Sequence, residues 1–157
     1  MNEIIFYSTK SENGYLSNFA AYPIELDGQI WPTSEHYFQA QKFPRTEHAV
    51  RIRQTPSPMI AARLGRSRRV PIRPDWEQVK DAVMLAALRA KFSQHPDLRE
   101  MLLATGEARI VERAKKDRYW GDGGDGSGRN RLGELLMQVR DELRRAGTCG
   151  VDATEVP

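Results

Sequence analysis

The sequence predicts an α+β domain that is mostly helical and carries a small antiparallel sheet near its N-terminus. Apolar residues recur at helical spacing in several long segments, whereas the segments that favour strands cluster before residue 32. The 157 residues suit one domain and contain no internal repeat or linker. We therefore expect a single domain over residues 1–146, followed by a disordered polar tail over residues 147–157.

The strand-forming segments come first in the chain. Residues 4–7 are rich in β-branched and aromatic side chains, which favour a strand. Residues 22–31 alternate apolar and polar side chains on either side of Asp27-Gly28, the turn signal of a β-hairpin. Ile110-Val111 is a further short strand candidate, far away in the sequence.

Capping residues and the spacing of apolar side chains predict the helices. Thr33 or Ser34 caps the first one, Pro58 opens the third and Gly65 ends it. The predicted helices cover about residues 34–43, 45–54, 58–65, 75–95, 96–106 and 131–145.

Composition excludes several classes of protein. No apolar run approaches the ~20 residues that a membrane helix needs. The N-terminus lacks a basic region followed by a long apolar stretch, so we expect no signal peptide. One cysteine, Cys149, and three scattered histidines offer neither a disulfide framework nor a metal-binding spacing. We expect a cytoplasmic protein that contacts no membrane and uses no metal or cofactor.

Basic residues are unevenly distributed along a chain whose net charge is only +3. Five arginines fall within residues 63–73, and a second basic group precedes residue 119. They are Arg63, Arg66, Arg68, Arg69 and Arg73, then Lys115, Lys116 and Arg118. Such clusters suit the phosphates of a nucleotide or of a nucleic-acid backbone, and a solvated helix end and connector fits the first cluster equally well.

Residues 119–133, here called the glycine loop, hold six of the twelve glycines and lead into the last predicted helix. Dense glycine indicates positive φ angles or close approach of the backbone to a ligand. A loop that feeds a helix N-terminus is expected to leave N–H groups available for an anion. We therefore predict a ligand loop, with a mobile surface turn as the alternative. The motif Gly121-x-Gly123-x-x-Gly126 is not a dinucleotide fingerprint, because only one helix follows it.

An acid, an amide and an amine share one face of the first predicted helix. Glu35, Gln39 and Lys42, here called the stripe, are spaced by about one turn each, whereas His36 and Phe43 lie on an adjacent strip that suits the core. The residues alone fit either a salt-bridged surface or an acid/base and a nucleophile that flank a bound sugar.

Taken together, these segments resemble the NADAR (YbiA-like) family over about residues 4–145. The matching motifs occur in family order: residues 14–19 (GYLSNF), 31–43 (WPTSEHYFQAQKF), 73–76 (RPDW) with Lys80 and Met84, 120–121 (WG), 125–126 (DG) and 130–133 (NRLG). The resemblance implies a YbiA-like fold and hydrolysis of an N-glycosidic bond between ribose and an amino group on a heterocycle.

Two substrate classes follow from the resemblance. One is ADP-ribose attached to guanine in DNA, for which family members act as antitoxins to DarT-type ADP-ribosyltransferases. The other is the phosphoribosylamino-pyrimidine intermediates of riboflavin synthesis. A non-catalytic module that binds ADP-ribose or NAD is a third possibility. The first is our leading hypothesis, with an ADP-ribosyltransferase toxin as functional partner.

The resemblance also implies roles for residues of the stripe and the glycine loop. The expected catalytic residues are Lys42, Glu35 and Asp125. The expected substrate-binding residues are Asn18, Gln39, Tyr119, Trp120, Gly121, Gly126 and Asn130. Lys42 is either a nucleophile at C1 of the ribose, or Glu35 activates the water, and the sequence leaves this choice open.

Overall fold

The computed structural model describes the backbone of residues 2–154 and the side chains of residues 2–147. The chain groups into two compact units. The helical unit is Asn18–Gln94, and the terminal unit combines the residues up to Ser17 with those from His95 onward. Each unit contains a two-stranded sheet and its own helices.

The helical unit begins with the predicted hairpin. Strands β2 (Ile24–Leu26) and β3 (Gln29–Trp31) pair antiparallel, with Ile24 opposite Trp31. Asp27 and Gly28 connect them with φ angles of 55° and 75°, the positive values that a two-residue primed turn requires. The prediction of a hairpin over this segment is confirmed.

Four helices follow in the same unit: α1 (Ser34–Ala40), α2 (Glu47–Gln54), α3 (Pro58–Arg66) and α4 (Trp76–Gln94). The side chains of Thr33, Thr46 and Ser57 cap the first three by accepting a hydrogen bond from an N–H in the first turn. The apolar core of the unit joins the hairpin to these helices. It includes Ile24, Trp31, Tyr37, Ala40, Phe43, Ile52, Ala61, Ala87 and Ala90.

The terminal unit pairs the first strand with the last one. Strand β1 (Glu3–Phe6) runs parallel to β4 (Arg109–Glu112). Helix α5 (Pro96–Ala104) comes directly before β4 in the sequence. Helix α6 (Arg131–Thr154) packs against β4, and its buried apolar residues include Leu132, Leu135, Leu136 and Val139.

Two details of the prediction are corrected. The antiparallel sheet is limited to the hairpin, because β1 takes a distant parallel partner that local alternation cannot reveal. Gly65 does not end α3, which runs one residue further to Arg66.

The ends of the helices also differ from the prediction in length. Helix α1 ends at Ala40 instead of Phe43, and α6 extends to Thr154, past the predicted end at residue 145. The predicted disordered tail, residues 147–157, falls mostly on residues whose side chains lie outside the described part, so it stays a prediction. Over the described residues, no helix combines the length and apolarity needed to cross a membrane.

Candidate active site

The first two members of the stripe are in direct contact on α1. Gln39 Nε2 donates a 2.7 Å hydrogen bond to Glu35 Oε2, and the two side chains are only 6% and 8% exposed. Thr33 caps the N-terminus of α1 just before Glu35, which fixes the start of the helix that carries both side chains. A buried carboxylate that accepts a hydrogen bond from an amide is held in one orientation.

Lys42 lies in the turn that follows α1, with its backbone N–H donating to the Gln39 carbonyl at 3.2 Å. Its side chain is 8% exposed, and Nζ donates to the Gly65 carbonyl at 3.4 Å. The predicted surface salt-bridge alternative is therefore wrong for this residue, because the amine is buried against the C-terminal turn of α3. The structure brings the three stripe residues together within the helical unit.

Two aromatic rings cover the Lys42 amine. Nζ lies 5.8 Å from the ring centroids of both Phe38 and Trp76, which contact each other edge to face at 5.1 Å. Trp76 is 7% exposed and therefore belongs to the buried core. The same ring also forms one wall around the amine.

The pKa of Lys42 falls from its ordinary value of 10.5 to about 8. Burial is the largest cause, because removal of water disfavours the charged amine, and the neighbouring positive charge of Arg68 adds to it. The Glu35 carboxylate acts in the opposite direction and keeps the pKa from falling further. A smaller lowering comes from Arg66.

Gly65 brings α3 into close contact with α1, a feature that sequence reasoning missed. A Cβ atom on residue 65 would overlap the Gln39 carboxamide, so only glycine leaves room for it. Gln39 Oε1 is buried and has no hydrogen-bond partner among the described residues. The sequence contained one signal of this contact, the glycine at position 65 inside a helical pattern, but that glycine was interpreted as the end of the helix.

Asn18 anchors the N-terminal end of α1. Its Oδ1 accepts a 2.8 Å hydrogen bond from Ser34 Oγ, and its backbone carbonyl accepts one from Glu35 N at 3.2 Å. Its Nδ2 faces Met84 Sδ at 3.4 Å. This buried residue therefore positions the backbone of Glu35, and its predicted binding of substrate stays a prediction.

The arginine cluster begins in the last turn of α3 and continues into the segment after it, and its members differ in their pairing. Arg73 forms a two-pronged ion pair with Asp75, at 2.6 and 2.9 Å. Arg68 Nη1 instead donates to two carbonyls, those of Gly65 and Ser67, each at 3.2 Å. Arg68 is therefore the cluster member that reaches the carbonyl bonded to Lys42.

In the terminal unit, the glycine loop is held together by an acid that the sequence did not single out. Asp122 is 2% exposed, and its Oδ1 accepts hydrogen bonds from Gly124 N at 2.8 Å and Ala114 N at 3.3 Å. Its Oδ2 pairs with Arg113 Nε at 3.2 Å. The loop also contains three glycines with positive φ, Gly123, Gly124 and Gly126.

The loop does not present the row of unused N–H groups that the sequence predicted. The amides of residues 126–132 donate within the chain: Gly126 and Gly128 both to the Asp122 carbonyl, and Arg131 to the Tyr119 carbonyl, for example. The prediction failed because a glycine-rich segment of this length folds back on itself.

Asp125, an expected catalytic residue, and Asn130, an expected substrate-binding residue, occupy different environments in the loop. Asp125 is exposed and accepts hydrogen bonds from Ser127 N and Oγ at 3.0 and 2.6 Å. Asn130 is 1% exposed, with Oδ1 bonded to Glu112 N and Nδ2 to the Ile110 carbonyl, both at 2.9 Å. Asn130 thus fastens the loop to β4.

The other loop residues that were predicted to bind substrate are an aromatic pair and two glycines. Tyr119 and Trp120 are half-buried and meet edge to face at 4.8 Å, with the Arg129 guanidinium 4.8 Å from the Tyr119 ring. Gly121 is buried, and a Cβ there would crowd Ala114, whereas Gly126 is exposed with open space around it. Their roles in binding stay predictions.

Comparison with known proteins gives consistent matches over most of the chain. Residues 5–144 match the NADAR domain. N-glycosidase YbiA of Escherichia coli (strain K12) is 59% identical over 140 residues, which cover 89% of this chain and 88% of that protein. Riboflavin biosynthesis protein VVA0006 of Vibrio vulnificus (strain YJ016) is 43% identical over 141 residues, 90% of this chain but only 38% of that protein.

A solved structure agrees with the fold. The NMR structure of E. coli YbiA matches with a TM-score of 0.87 at 56% sequence identity, covering 94% of this chain and 88% of that one. The likeness therefore extends to the sequence as well as to the fold.

Proposed function

Because this chain belongs to the NADAR family, we propose that it is an N-glycosidase that hydrolyses the bond between ribose and an amino group of a heterocycle. The names of its relatives support hydrolysis of an N-glycosidic bond. The observation that carries the proposal is the buried Lys42 amine, whose pKa is lowered to about 8, beside the hydrogen-bonded pair of Glu35 and Gln39.

The lowered pKa makes Lys42 a usable nucleophile near neutral pH. An amine with pKa 8 is neutral in about a tenth of the molecules at pH 7, against about one in three thousand at pKa 10.5. Only the neutral amine has a lone pair for attack on carbon. The burial of Lys42 therefore supports its proposed role as the nucleophile.

In the proposed reaction the Lys42 nitrogen bonds to C1 of the ribose as the bond from C1 to the heterocycle amine breaks. Glu35 takes up the proton that the attacking lysine nitrogen loses and passes it, directly or through a water that this carboxyl group holds, to the leaving amine. The ribose ring then opens: the bond from C1 to the ring oxygen breaks, the ring oxygen takes a proton from water, and C1 stays joined to the Lys42 nitrogen as a Schiff base. Water adds to C1, and the adduct collapses to free sugar and the lysine amine. Gln39 keeps the Glu35 carboxyl group in place through its 2.7 Å hydrogen bond.

For the substrate we propose ADP-ribose on guanine in DNA, with the protein acting as antitoxin to an ADP-ribosyltransferase in the cytoplasm. The arginine-rich segment after α3 supports a substrate that carries phosphate. A phosphoribosylamino-pyrimidine is the second candidate, because a relative at 43% identity is named a riboflavin biosynthesis protein. Both substrates present the same bond to Lys42.

The glycine loop enters the proposal through its side chains. Tyr119 and Trp120 offer flat surfaces for a base or a ribose. Asp125, which lies exposed, is proposed to bind ribose hydroxyls or to orient water.

The test is release of ADP-ribose from an oligonucleotide modified on one guanine. We compare the wild type with Lys42→Ala and Glu35→Gln, and with Lys10→Ala as a control at an exposed lysine. We expect at least a hundredfold loss of kcat in the first two variants and none in the control. Borohydride added during turnover is expected to reduce the Schiff base and leave a stable sugar adduct on Lys42.

Other outcomes redirect the proposal. Turnover that requires Glu35 but gives no adduct would assign activation of water to Glu35. Release from phosphoribosylamino-pyrimidine but not from the oligonucleotide would make the second substrate the correct one. Tight binding of ADP-ribose with no release from either substrate would contradict a glycosidase and leave a binding module.

A further inference from the structure

A single carbonyl oxygen holds two cationic side chains beside each other in the helical unit. The Gly65 carbonyl accepts hydrogen bonds from Lys42 Nζ at 3.4 Å and from Arg68 Nη1 at 3.2 Å. Gly65 lies in the last turn of α3, where carbonyl groups lack a helical partner and carry the negative end of the helix dipole. The guanidinium of Arg68 is thereby fixed next to the amine proposed to act on C1 of the ribose.

Positive charge around this carbonyl exceeds the negative charge. Arg73 is neutralised by Asp75, and Lys80 forms an ion pair with Glu77 at 2.8 Å. Arg66, Arg68 and Arg69 form no ion pair with any side chain in the described part of the chain. Glu35 is the nearby acid that acts on Lys42 most strongly, and it already accepts a hydrogen bond from Gln39.

Arg68 retains the donors that bind phosphate. Its Nη1 donates to the carbonyls of Gly65 and Ser67, whereas its Nε and Nη2 donate no hydrogen bond within the described part of the chain. The side chain is exposed, so an anion reaches these N–H groups without displacing a neighbour. A guanidinium edge with two parallel donors matches two phosphate oxygens.

We propose that Arg68, assisted by Arg66, binds the phosphate attached to C5 of the substrate ribose and so places C1 at Lys42. The inference rests on the proposed function only in taking Lys42 as the residue that meets C1. In the ligand, one ribose ring separates C1 from the phosphate on C5. In the protein, the Gly65 carbonyl separates the Lys42 amine from the Arg68 guanidinium, because both donate to it. The 5-phosphate monoester of a ribosyl-pyrimidine and the diphosphate of ADP-ribose share this chemistry.

The test measures binding independently of turnover. Ribose, ribose 5-phosphate and ADP-ribose are titrated into the protein and followed by NMR shifts. The variants are Arg68→Met, Arg66→Met and Arg68→Lys, with Arg63→Met as the matched control. Arg63 is exposed on α3, the helix that contains Arg66 and precedes Arg68, but it is not among the charges that act on Lys42.

We expect the wild type to bind ribose 5-phosphate at least tenfold more tightly than ribose. Arg68→Met should remove this preference, Arg66→Met should reduce it about threefold, and Arg63→Met should retain it. Arg68→Lys keeps the charge near Lys42 but loses the two-pronged geometry, so it should weaken phosphate binding while leaving the pH dependence of turnover in place. If Arg68 had only a structural role, Arg68→Lys would not change phosphate binding separately from the pH dependence of turnover.

The two ligands distinguish the source of the phosphate. Tighter binding of ADP-ribose than of ribose 5-phosphate favours the diphosphate, and equal binding favours the monoester. If Arg68→Met binds ribose 5-phosphate as the wild type does, the phosphate site is wrong, whatever the enzyme turns over. If binding depends on Arg68 but no substrate is hydrolysed, the phosphate site stands and the proposed function fails.

Discussion

Gln39 and Gly65 lie so close together that a methyl group on residue 65 would overlap the Gln39 carboxamide. The contact joins α1 to α3 beside Lys42, whose Nζ donates to the Gly65 carbonyl. Gly65 is inside a helix and has an ordinary φ angle, so its backbone does not require glycine. The close approach of Gln39 is therefore the reason for a glycine at this position.

Gly65→Ala tests this contact through the sign of its effect on stability. Helix propensity alone would stabilise the protein by about 1 kcal/mol, whereas overpacking against Gln39 should cost about 1–3 kcal/mol. We expect net destabilisation in urea unfolding, together with reduced turnover. Adding Gln39→Ala to Gly65→Ala should restore most of the lost stability, and a stabilised single variant would contradict the contact.

The rate of hydrolysis is expected to rise with pH through an apparent pKa near 8. Lys42 must lose its proton before it attacks, and its pKa is lowered to about 8 by burial and by Arg68, against the opposing charge of Glu35. Arg68→Met should move this limb of the kcat/KM profile to higher pH, because a nearby positive charge has been removed. A profile that is flat between pH 6 and 9 in the wild type would argue against Lys42 as nucleophile.

Lys42 should also lower stability in a pH-dependent manner. Its pKa is lower in the folded chain than in the unfolded chain, so the unfolded state binds the proton more tightly. The penalty is complete below the folded pKa of about 8 and disappears as pH rises toward 10.5. Lys42→Met should therefore unfold at higher urea than the wild type at pH 7, with an advantage that shrinks by pH 10. An advantage independent of pH would refute this origin.

Asp122 and Asp125 differ in burial, and substitution should separate a structural acid from the proposed functional one. Asp122→Ala leaves Gly124 N and Ala114 N without their acceptor and should cost about 1–3 kcal/mol. Asp125→Ala, at an exposed position, should change stability by about 0.5 kcal/mol or less but reduce turnover. Unfolding and kinetic measurements on the two variants distinguish the structural role from the functional one. Unchanged turnover in Asp125→Ala would remove that residue from the mechanism.

The pKa of Asp122 gives the same acid a signature at low pH. Burial raises this pKa, but hydrogen bonds from Gly124, Arg113 and Ala114 together lower it by a larger amount, so the net shift is downward from 3.8. A depressed pKa stabilises the fold above the unfolded value and loses that effect as pH falls through the folded value. The difference in stability between the wild type and Asp122→Ala should accordingly shrink below pH 4.

Local signals in the sequence predicted most of the secondary structure. Thr33, Ser57 and Pro58 act within one turn of their own helices, and Asp27-Gly28 joins adjacent strands, so neighbouring residues suffice to identify them. The parallel pairing of β1 with β4 was missed because the strands are about a hundred residues apart and either has only four residues.

For the site, spacing predicted which side chains share a face but not what surrounds them. Glu35 and Gln39 are in contact because residues four apart on a helix are neighbours. The burial of Lys42 depends on Gly65, which arrives from another helix, and no local pattern reveals it. In the glycine loop the acids look alike in sequence, and only packing distinguishes Asp122 from Asp125.

Turnover is expected to continue unchanged in EDTA. The histidine rings of the helical unit are engaged in structure: His36 bonds to Thr33 and Thr55, and His48 to the Leu64 carbonyl. The described residues contain no cluster of three His, Cys, Asp or Glu side chains that could hold a metal. Rates measured after dialysis against EDTA should equal those with added Mg²⁺ or Zn²⁺, and a loss restored by one metal would contradict an amine and acid mechanism.

Asn130 connects the glycine loop to β4, and its variants should follow an order set by backbone conformation and hydrogen bonding. Its φ of 53° is left-handed, a conformation that asparagine and glycine tolerate better than alanine. Asn130→Gly loses the two bonds to Glu112 and Ile110 but keeps the favourable backbone, and should cost about 1–3 kcal/mol.

Asn130→Ala loses the same bonds and adds about 1–2 kcal/mol of backbone strain, so it should unfold first. Asn130→Asp retains the acceptor for Glu112 N but cannot donate to the Ile110 carbonyl, which predicts a loss of stability as well. If all three variants unfold like the wild type while ribose binding collapses, Asn130 serves the ligand and not the loop.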